Sequence, residues 1–436
     1  MRKWMASLLT VTTLMLAGCG GSKPNETTPQ PAAEKKEPVT LRVIYSGTTD
    51  IEKAWSVKMK EQIEAKHSDI KIEYMYIGWA DVEKKLAVML QAGDVPDLMQ
   101  TQDATNLVAM NALEPLDAYL SKAGATVKKA DFHQSALEYG VFSGKLYSLP
   151  TAAIGYGLVV NEELLGKAGI KAEEIKTTDD LVKAAKALTK DGVYGMGYAS
   201  GAPRFSWRDP AMFAFSNGEF TLADVDDAHK KAYIEVLSVY NSLRPYMPEA
   251  VTAWQYPEMR KAFAAGQIAM MPFGSFFTGN VYEFNPDIVA KSKVIPIPHG
   301  PSGQKPAMMV GGVGLSMLAG SKHKDAAWTV MQDLSQKEPV AQFAASVNLP
   351  SRVDVKGEEI AKLAETIYPK AFEAHGKFTG SFSPLLQTYG KTMPRIIGQA
   401  EMEVVFQKNM VQLLQGKLTP EQAYENIKRD IAQIKK

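Results

Sequence analysis

Val39, Leu41, Val43 and Tyr45 alternate with Thr40, Arg42 and Ser46, a period of two that predicts a strand. Ser46-Gly47-Thr48-Thr49 breaks it, and Trp55, Met59 and Ile63 then recur at helical spacing. Ile70, Ile72, Tyr74 and Tyr76 predict a second strand, which Gly78-Trp79-Ala80 ends. Val82, Leu86, Met89 and Leu90 share one face of the next helix, with Asp81 placed to cap it. Asp97-Leu98-Met99 predicts a third, shorter strand that stops at Gln100-Thr101-Gln102-Asp103. Strands alternating with helices in this rhythm predict an α/β fold with a parallel sheet wrapped by helices. Ligands bind such sheets beyond the carboxyl ends of the strands. That rule singles out three loops, Ser46 to Asp50, Gly78 to Asp81 and Gln100 to Asp103.

The pattern continues less cleanly. Leu158-Val159-Val160 reads as a buried strand, and Thr178 is placed to cap a helix carrying Leu181, Val182, Ala185 and Leu188. Phe263 to Met271 reads as a helix end, a turn at Gly266 and a strand from Ile268. Val294-Ile295-Pro296-Ile297-Pro298 is expected at a sheet edge or a crossing, because proline removes a ladder donor. Lys324–Leu334 and Glu401–Leu414 read as helices, with Trp55 and Trp328 as core.

The first residues change the picture. Arg2 and Lys3, the apolar run Leu8 to Leu16 and the exit Ala17-Gly18-Cys19 form a signal-peptide pattern over residues 1–18. The run falls short of the roughly 20 apolar residues that span a bilayer. Cys19 is the only cysteine, which rules out an intramolecular disulfide. Leu16-Ala17-Gly18-Cys19 resembles a bacterial lipobox, which implies a diacylglycerol on the Cys19 sulfur and an anchor on the extracytoplasmic face of the cell membrane. Residues 19–38 hold almost nothing to bury and are expected to form a disordered tether. The chain beyond them is longer than one core normally serves, so two lobes are expected. The net charge of +1 gives no reason to expect a nucleic-acid partner.

Enzyme motifs are missing. The chain has no Gly-x-Ser-x-Gly elbow, no Gly-x-x-x-x-Gly-Lys phosphate loop and no His-Glu-x-x-His. Its six histidines lack metal-ligand spacing, and Gly311-Gly312-Val313-Gly314 lacks the dinucleotide spacing. No catalytic residue, metal or cofactor is expected.

Six segments in order carry a resemblance. They are Gly93-Asp94-Val95-Pro96-Asp97, Gly144-Lys145-Leu146-Tyr147-Ser148-Leu149-Pro150, Asn161-Glu162-Glu163-Leu164-Leu165 with Ala168-Gly169, Phe263 to Met270, Leu349-Pro350-Ser351-Arg352 and Thr419-Pro420-Glu421-Gln422-Ala423. Together they resemble the solute-binding proteins of bacterial ABC importers, in the carbohydrate-binding group that includes maltose-binding protein. The resemblance runs from about Val39 to the C-terminus. It departs at Val160, where the family often has a tyrosine before the asparagine. It implies a two-lobe periplasmic-binding-protein-like fold with a ligand cleft between the lobes. Residues 39–150 plus about 299–340 are expected in lobe 1, and 151–298 plus about 341–436 in lobe 2.

It also implies a receptor that hands a sugar or oligosaccharide to a membrane permease, as a monomer. A sugar offers apolar C–H faces to aromatic rings and hydroxyls to polar side chains. Thr48, Trp79, Gln102 and Asp103 in the strand-end loops are expected to bind it. So are Arg204, Phe205 and Trp207, read as part of an aromatic and charged loop, and Trp254. Ser275 and Phe276 after the Met271 strand, Gly312 for close backbone approach and Phe382 complete the set. Arg204 and Arg208 would equally suit an anionic group, so a phosphorylated polyol stands as an alternative ligand. Further alternatives are a polyamine ligand or a surface glycan-binding adhesin.

Overall fold

Strand β1 (Val39–Tyr45) buries Leu41, Val43, Ile44 and Tyr45 in a computed structural model that describes residues 38–435 except 103 and 393–395. The expected signal peptide, Cys19 and nearly all of the tether lie outside the described residues, as does Asp103. Helix α1 (Asp50–Lys66) starts at a capping box. The Thr49 side chain accepts from the Glu52 amide, and the Glu52 carboxylate accepts from the Thr49 amide. Trp55, Met59 and Ile63 face the core. Strand β2 (Ile70–Tyr76) runs parallel to β1, from Val39 opposite Ile70 to Tyr45 opposite Tyr76. After α2 (Val82–Gln91), β3 (Leu98–Thr101) pairs parallel on the other side of β1. The parallel unit predicted from the alternation is present. Asp81 stands at the cap position of α2, but its side chain makes no capping bond.

Short helices α3 (Thr105–Ala109), α4 (Asp117–Leu120) and α5 (Gln134–Glu138) and a hairpin of β4 (Val141–Phe142) and β5 (Lys145–Leu146) lead to β6 (Leu149–Asn161). Helix α6 (Glu162–Lys167) follows, then α7 (Thr178–Leu188). The cap of α7 is Thr177, not Thr178, because Thr177 and Asp180 form the reciprocal box.

Residues 204–209, expected as a loop, are helical and belong to α8 (Pro203–Ser216). Pro203 stands in the first turn, where no amide partner is needed. Pro210 cannot donate to the Ser206 carbonyl one turn back, and the Tyr198 hydroxyl donates to that carbonyl instead at 2.5 Å. The helix is buried almost all round, so its sequence shows no apolar stripe.

Helices α9 (Lys230–Leu243) and α10 (Tyr256–Ala264) precede β7 (Met270–Gly274). Strand β7 begins two residues later than expected. Short helices α11 (Phe277–Val281) and α12 (Asp287–Ala290) lead to β8 (Ser292–Ile295), which pairs only with β6 among the described strands. Its edge position fits the prolines that follow.

Strand β9 (Met308–Met317) joins the two ends of the sheet. It pairs antiparallel with β3, from Leu98 opposite Met317, and with the first half of β6. The second half of β6 pairs with β7 and β8. The C-terminal part adds α13 (Lys324–Leu334), α14 (Lys337–Ser346), β10 (Leu349–Pro350), α15 (Gly357–Ile367), α16 (Phe372–Gly380), α17 (Phe382–Tyr389), β11 (Gly390–Thr392), α18 (Gln399–Leu414) and α19 (Pro420–Ile434). Helix α18 packs on α8, and α19 on α9. Trp55 and Trp328 are core residues, their rings 4.6 Å from Phe343 and 5.4 Å from Tyr119.

Candidate functional site

The three strand-end loops meet helices from the β7 end around a chamber of about 180 Å³. Ser46, Thr48 and Glu52 come from the β1–α1 junction, Trp79 and Asp81 from the turn after β2, and Gln100 and Gln102 from the end of β3. Phe205 and Arg208 of α8, Gln255, Tyr256 and Arg260 around α10, and Phe276 and Asn280 after β7 line it from the opposite side. Ile154 and Val313 of the two long strands complete it with Phe343 and Asn348. Trp79, Ala80 and Asp81 also border a wider groove of about 950 Å³ that runs past Arg204.

The α8 and α10 side is aromatic. Phe205 stacks on Tyr256 at 4.5 Å, and Tyr256 stacks on Phe273 at 4.9 Å. Phe276 lies 5.0 Å from Phe273 and 5.9 Å from Tyr156. The Arg208 guanidinium sits 4.7 Å from the Tyr256 ring and 5.2 Å from Phe205. It donates to Asp209 Oδ1 through Nε at 2.9 Å and through Nη2 at 2.5 Å. Burial pushes the Asp209 carboxyl up to about 6, against the pull of that guanidinium. Burial also opposes the Arg208 charge, but Asp209 and the tyrosines hold its pKa above the usual arginine value. Arg204 crosses to the first wall. Its Nη2 donates to Gln102 Oε1 at 2.7 Å, its Nη1 lies 3.6 Å from Glu83, and the guanidinium lies 5.9 Å from the Trp79 ring.

Four buried polar atoms at this chamber have no hydrogen-bond partner: Ser46 Oγ, Tyr256 Oη, Arg260 Nε and Asn348 Oδ1. A buried polar group left unsatisfied costs about 1–3 kcal/mol, so four around one space mark a place built for a polar occupant. Burial pushes the Glu52 carboxyl up, while hydrogen bonds from Thr49 and the charge of Arg260 pull it down. Polar atoms beside stacked aromatic faces suit a molecule with hydroxyls on its edges and an apolar face. Among the described residues no group of three or more His, Cys, Asp or Glu could hold a metal ion.

Of the residues singled out from sequence, Thr48, Trp79, Gln102, Phe205 and Phe276 line the chamber. Arg204 borders the adjoining crevice and the outer groove. Trp207 is 1 % exposed and meets Phe406 edge-on, so α8 turns it into the core. Its ring borders the crevice behind the chamber, beside Tyr156 and Arg208. Trp254 is half-buried, packed against the core and away from the chamber lining. Ser275 is buried, and its Oγ accepts from the Gly155 amide. Gly312 faces the Tyr139 ring in a separate small cleft. Phe382 is 0 % exposed and fills the space beside Gly155, where a Cβ would come 2.6 Å from its ring. The sequence reading did not single out Glu52, Tyr256, Arg260, Asn280 or Asn348. Thr49-x-x-Glu52 at a flagged loop was a usable signal for Glu52. Arg260, between the buried Met259 and Phe263, was another.

Residues 45–339 match the model of the bacterial extracellular solute-binding protein family. A putative binding protein of Brucella abortus is 26% identical over 292 residues, covering 66% of this chain and 69% of its own. The diacetylchitobiose binding protein DasA of Streptomyces coelicolor is 22% identical over 385 residues, 85% of each chain. The structure of an ABC transporter solute-binding protein from Thermotoga lettingae, bound with α-D-tagatose, superposes with a TM-score of 0.71 at 22% identity, covering 91% of this chain and 99% of that one. The fold is thus the two-lobe fold of solute-binding proteins, and the chain belongs to the bacterial extracellular solute-binding protein family.

Proposed function

We propose that the protein is the receptor of an ABC importer and captures a sugar or oligosaccharide in this chamber. The observation that carries the reading is the set of four orphaned polar atoms beside the Phe205–Tyr256–Phe273 stack. The relatives support it, since one is a diacetylchitobiose binding protein and another is bound with α-D-tagatose. The groove beyond Trp79 would take the further units of an oligosaccharide. A ligand touched from both sides favours the closed state, because only that state makes both sets of contacts. The closed receptor then docks on the permease. Residues 39–150 with about 299–340 would move as one lobe, and 151–298 with about 341–436 as the other. Cys19 would carry the lipid that holds a monomer at the membrane, and the ligand would leave chemically unchanged.

Titration calorimetry of the purified protein against neutral mono- to tetrasaccharides tests this reading. Saturable binding without product release is expected, and Trp79→Ala should weaken it by about tenfold through loss of a ring platform. Turnover of the sugar would make the protein an enzyme. Absence of binding across neutral and acidic sugars would end the carbohydrate reading.

A further inference from the structure

Among the described residues, the chamber holds a guanidinium that makes no ion pair within 4.0 Å, with Glu52 acting on it only through space. Arg260 is 8 % exposed and lines the chamber, and its Nε has no hydrogen-bond partner. Its Nη1 donates to Asn280 Oδ1, and Asn280 Nδ2 in turn donates to the Phe276 carbonyl at 2.9 Å. A neutral amide thus fixes the guanidinium in place without neutralising it. The other deeply placed arginines differ. Arg208 has the Asp209 carboxylate at 2.5 Å, and Arg352 has Asp354 at 2.9 Å. Glu52, across the chamber, is held by neutral donors, since its Oε2 accepts from the Thr48 amide, the Thr49 amide and the Thr49 hydroxyl, and it makes no direct bond to Arg260. Burial lowers the Arg260 pKa below the usual arginine value, against the pull of Tyr256, Glu52, Glu283 and Glu258. A buried charge in this state is costly until something pairs with it.

Resting on the sugar-receptor reading, we infer that the ligand is an acidic sugar whose carboxylate pairs with the Arg260 guanidinium. A guanidinium presents parallel N–H donors that match the two oxygens of a carboxylate. One unpaired guanidinium balances one carboxylate. Glu52 and Asp81 border the same chamber, so the second charge of a phosphate ester adds repulsion that a single carboxylate does not. The sugar ring then lies against the Tyr256 and Phe276 side of the same chamber. Asn280 is a positioning residue.

Calorimetry with matched pairs tests the inference: di- and trigalacturonate against galactobiose and galactotriose, glucuronate-terminated disaccharides against their glucose counterparts, and galactose 6-phosphate as a third arm. The wild-type protein is expected to bind an acidic member at least tenfold more tightly than its neutral partner. Arg260→Gln is expected to lower affinity for that acidic member by about 10- to 100-fold and to abolish most of its preference over the neutral partner. Circular dichroism checks that the variant folds, and the wild-type preference stands as a test by itself if it does not. Equal or tighter binding of the neutral sugars overturns the inference and leaves the sugar-receptor reading intact. Preference for the phosphate ester overturns the carboxylate assignment. No binding of any sugar overturns both.

Discussion

His375 shows how one side chain can set a stability limit. It is buried in α16 with both ring nitrogens unpaired, its ring 4.7 Å from Tyr368. Burial lowers its pKa from 6.5 to about 4, so the folded protein holds it neutral. The unfolded chain takes up the proton first as pH falls. Stability is therefore whole above about pH 6.5 and is lost as pH drops towards 4, by roughly 3 kcal/mol at the lower limit. Urea unfolding at pH 7.5 and pH 4.5 should show this loss, and His375→Phe should remove most of it. An equal acid loss in the variant would place the sensitivity elsewhere. Trp207 and Phe382 mark what single residues did not disclose in the sequence. A tryptophan among charged residues reads as exposed, yet α8 is covered by α18 and turns that indole inward.

Elements were more legible, because period and caps are local. Helices α1 and α7 begin with the same device, a threonine and an acidic residue three positions on. Only the first stands at the chamber. Thr177→Ala should cost about 1 kcal/mol of stability through the lost cap and leave ligand binding unchanged. Thr49→Ala should cost a similar amount and also weaken binding several-fold, because the Thr49 hydroxyl holds the Glu52 carboxylate at 2.8 Å. Thermal melts and calorimetry on both variants make the comparison, and identical binding losses would remove Glu52 from the site. The strand-end loops of β1, β2 and β3 could be found from alternation alone, since topology fixes where such loops gather. Of the second wall, only Phe205 and Phe276 could. Tyr256, Arg260 and Asn280 sit on helices whose orientation depends on β6 and β7, segments about 100 residues apart in sequence. Residue type gives no such orientation, and in this stretch only Trp254 stands out, two positions short of Tyr256.

At the scale of the whole molecule, β6 and β9 run through both ends of the sheet, and Arg204 closes the gap between them on the open side. It reaches from α8 to Gln102 after β3 and to Glu83 on α2. These bonds join protein to protein beside the chamber, so they hold α8 against the β3 end and α2 whether or not a ligand is inside. Their strength has to be moderate. The Arg204–Glu83 pair is partly exposed, a setting in which an ion pair contributes about 0.2–1 kcal/mol. The charged hydrogen bond to Gln102 adds about 1.5–3 kcal/mol. A latch of this size biases the equilibrium without locking it, which a receptor that must reopen requires. Arg204→Ala should therefore lower ligand affinity by about tenfold, with the loss appearing as faster release. Small-angle scattering of the ligand-free protein should show a larger radius of gyration in the variant than in the wild type, and saturating ligand should abolish the difference. An affinity loss without any change in the ligand-free radius would make Arg204 a ligand contact and not a latch.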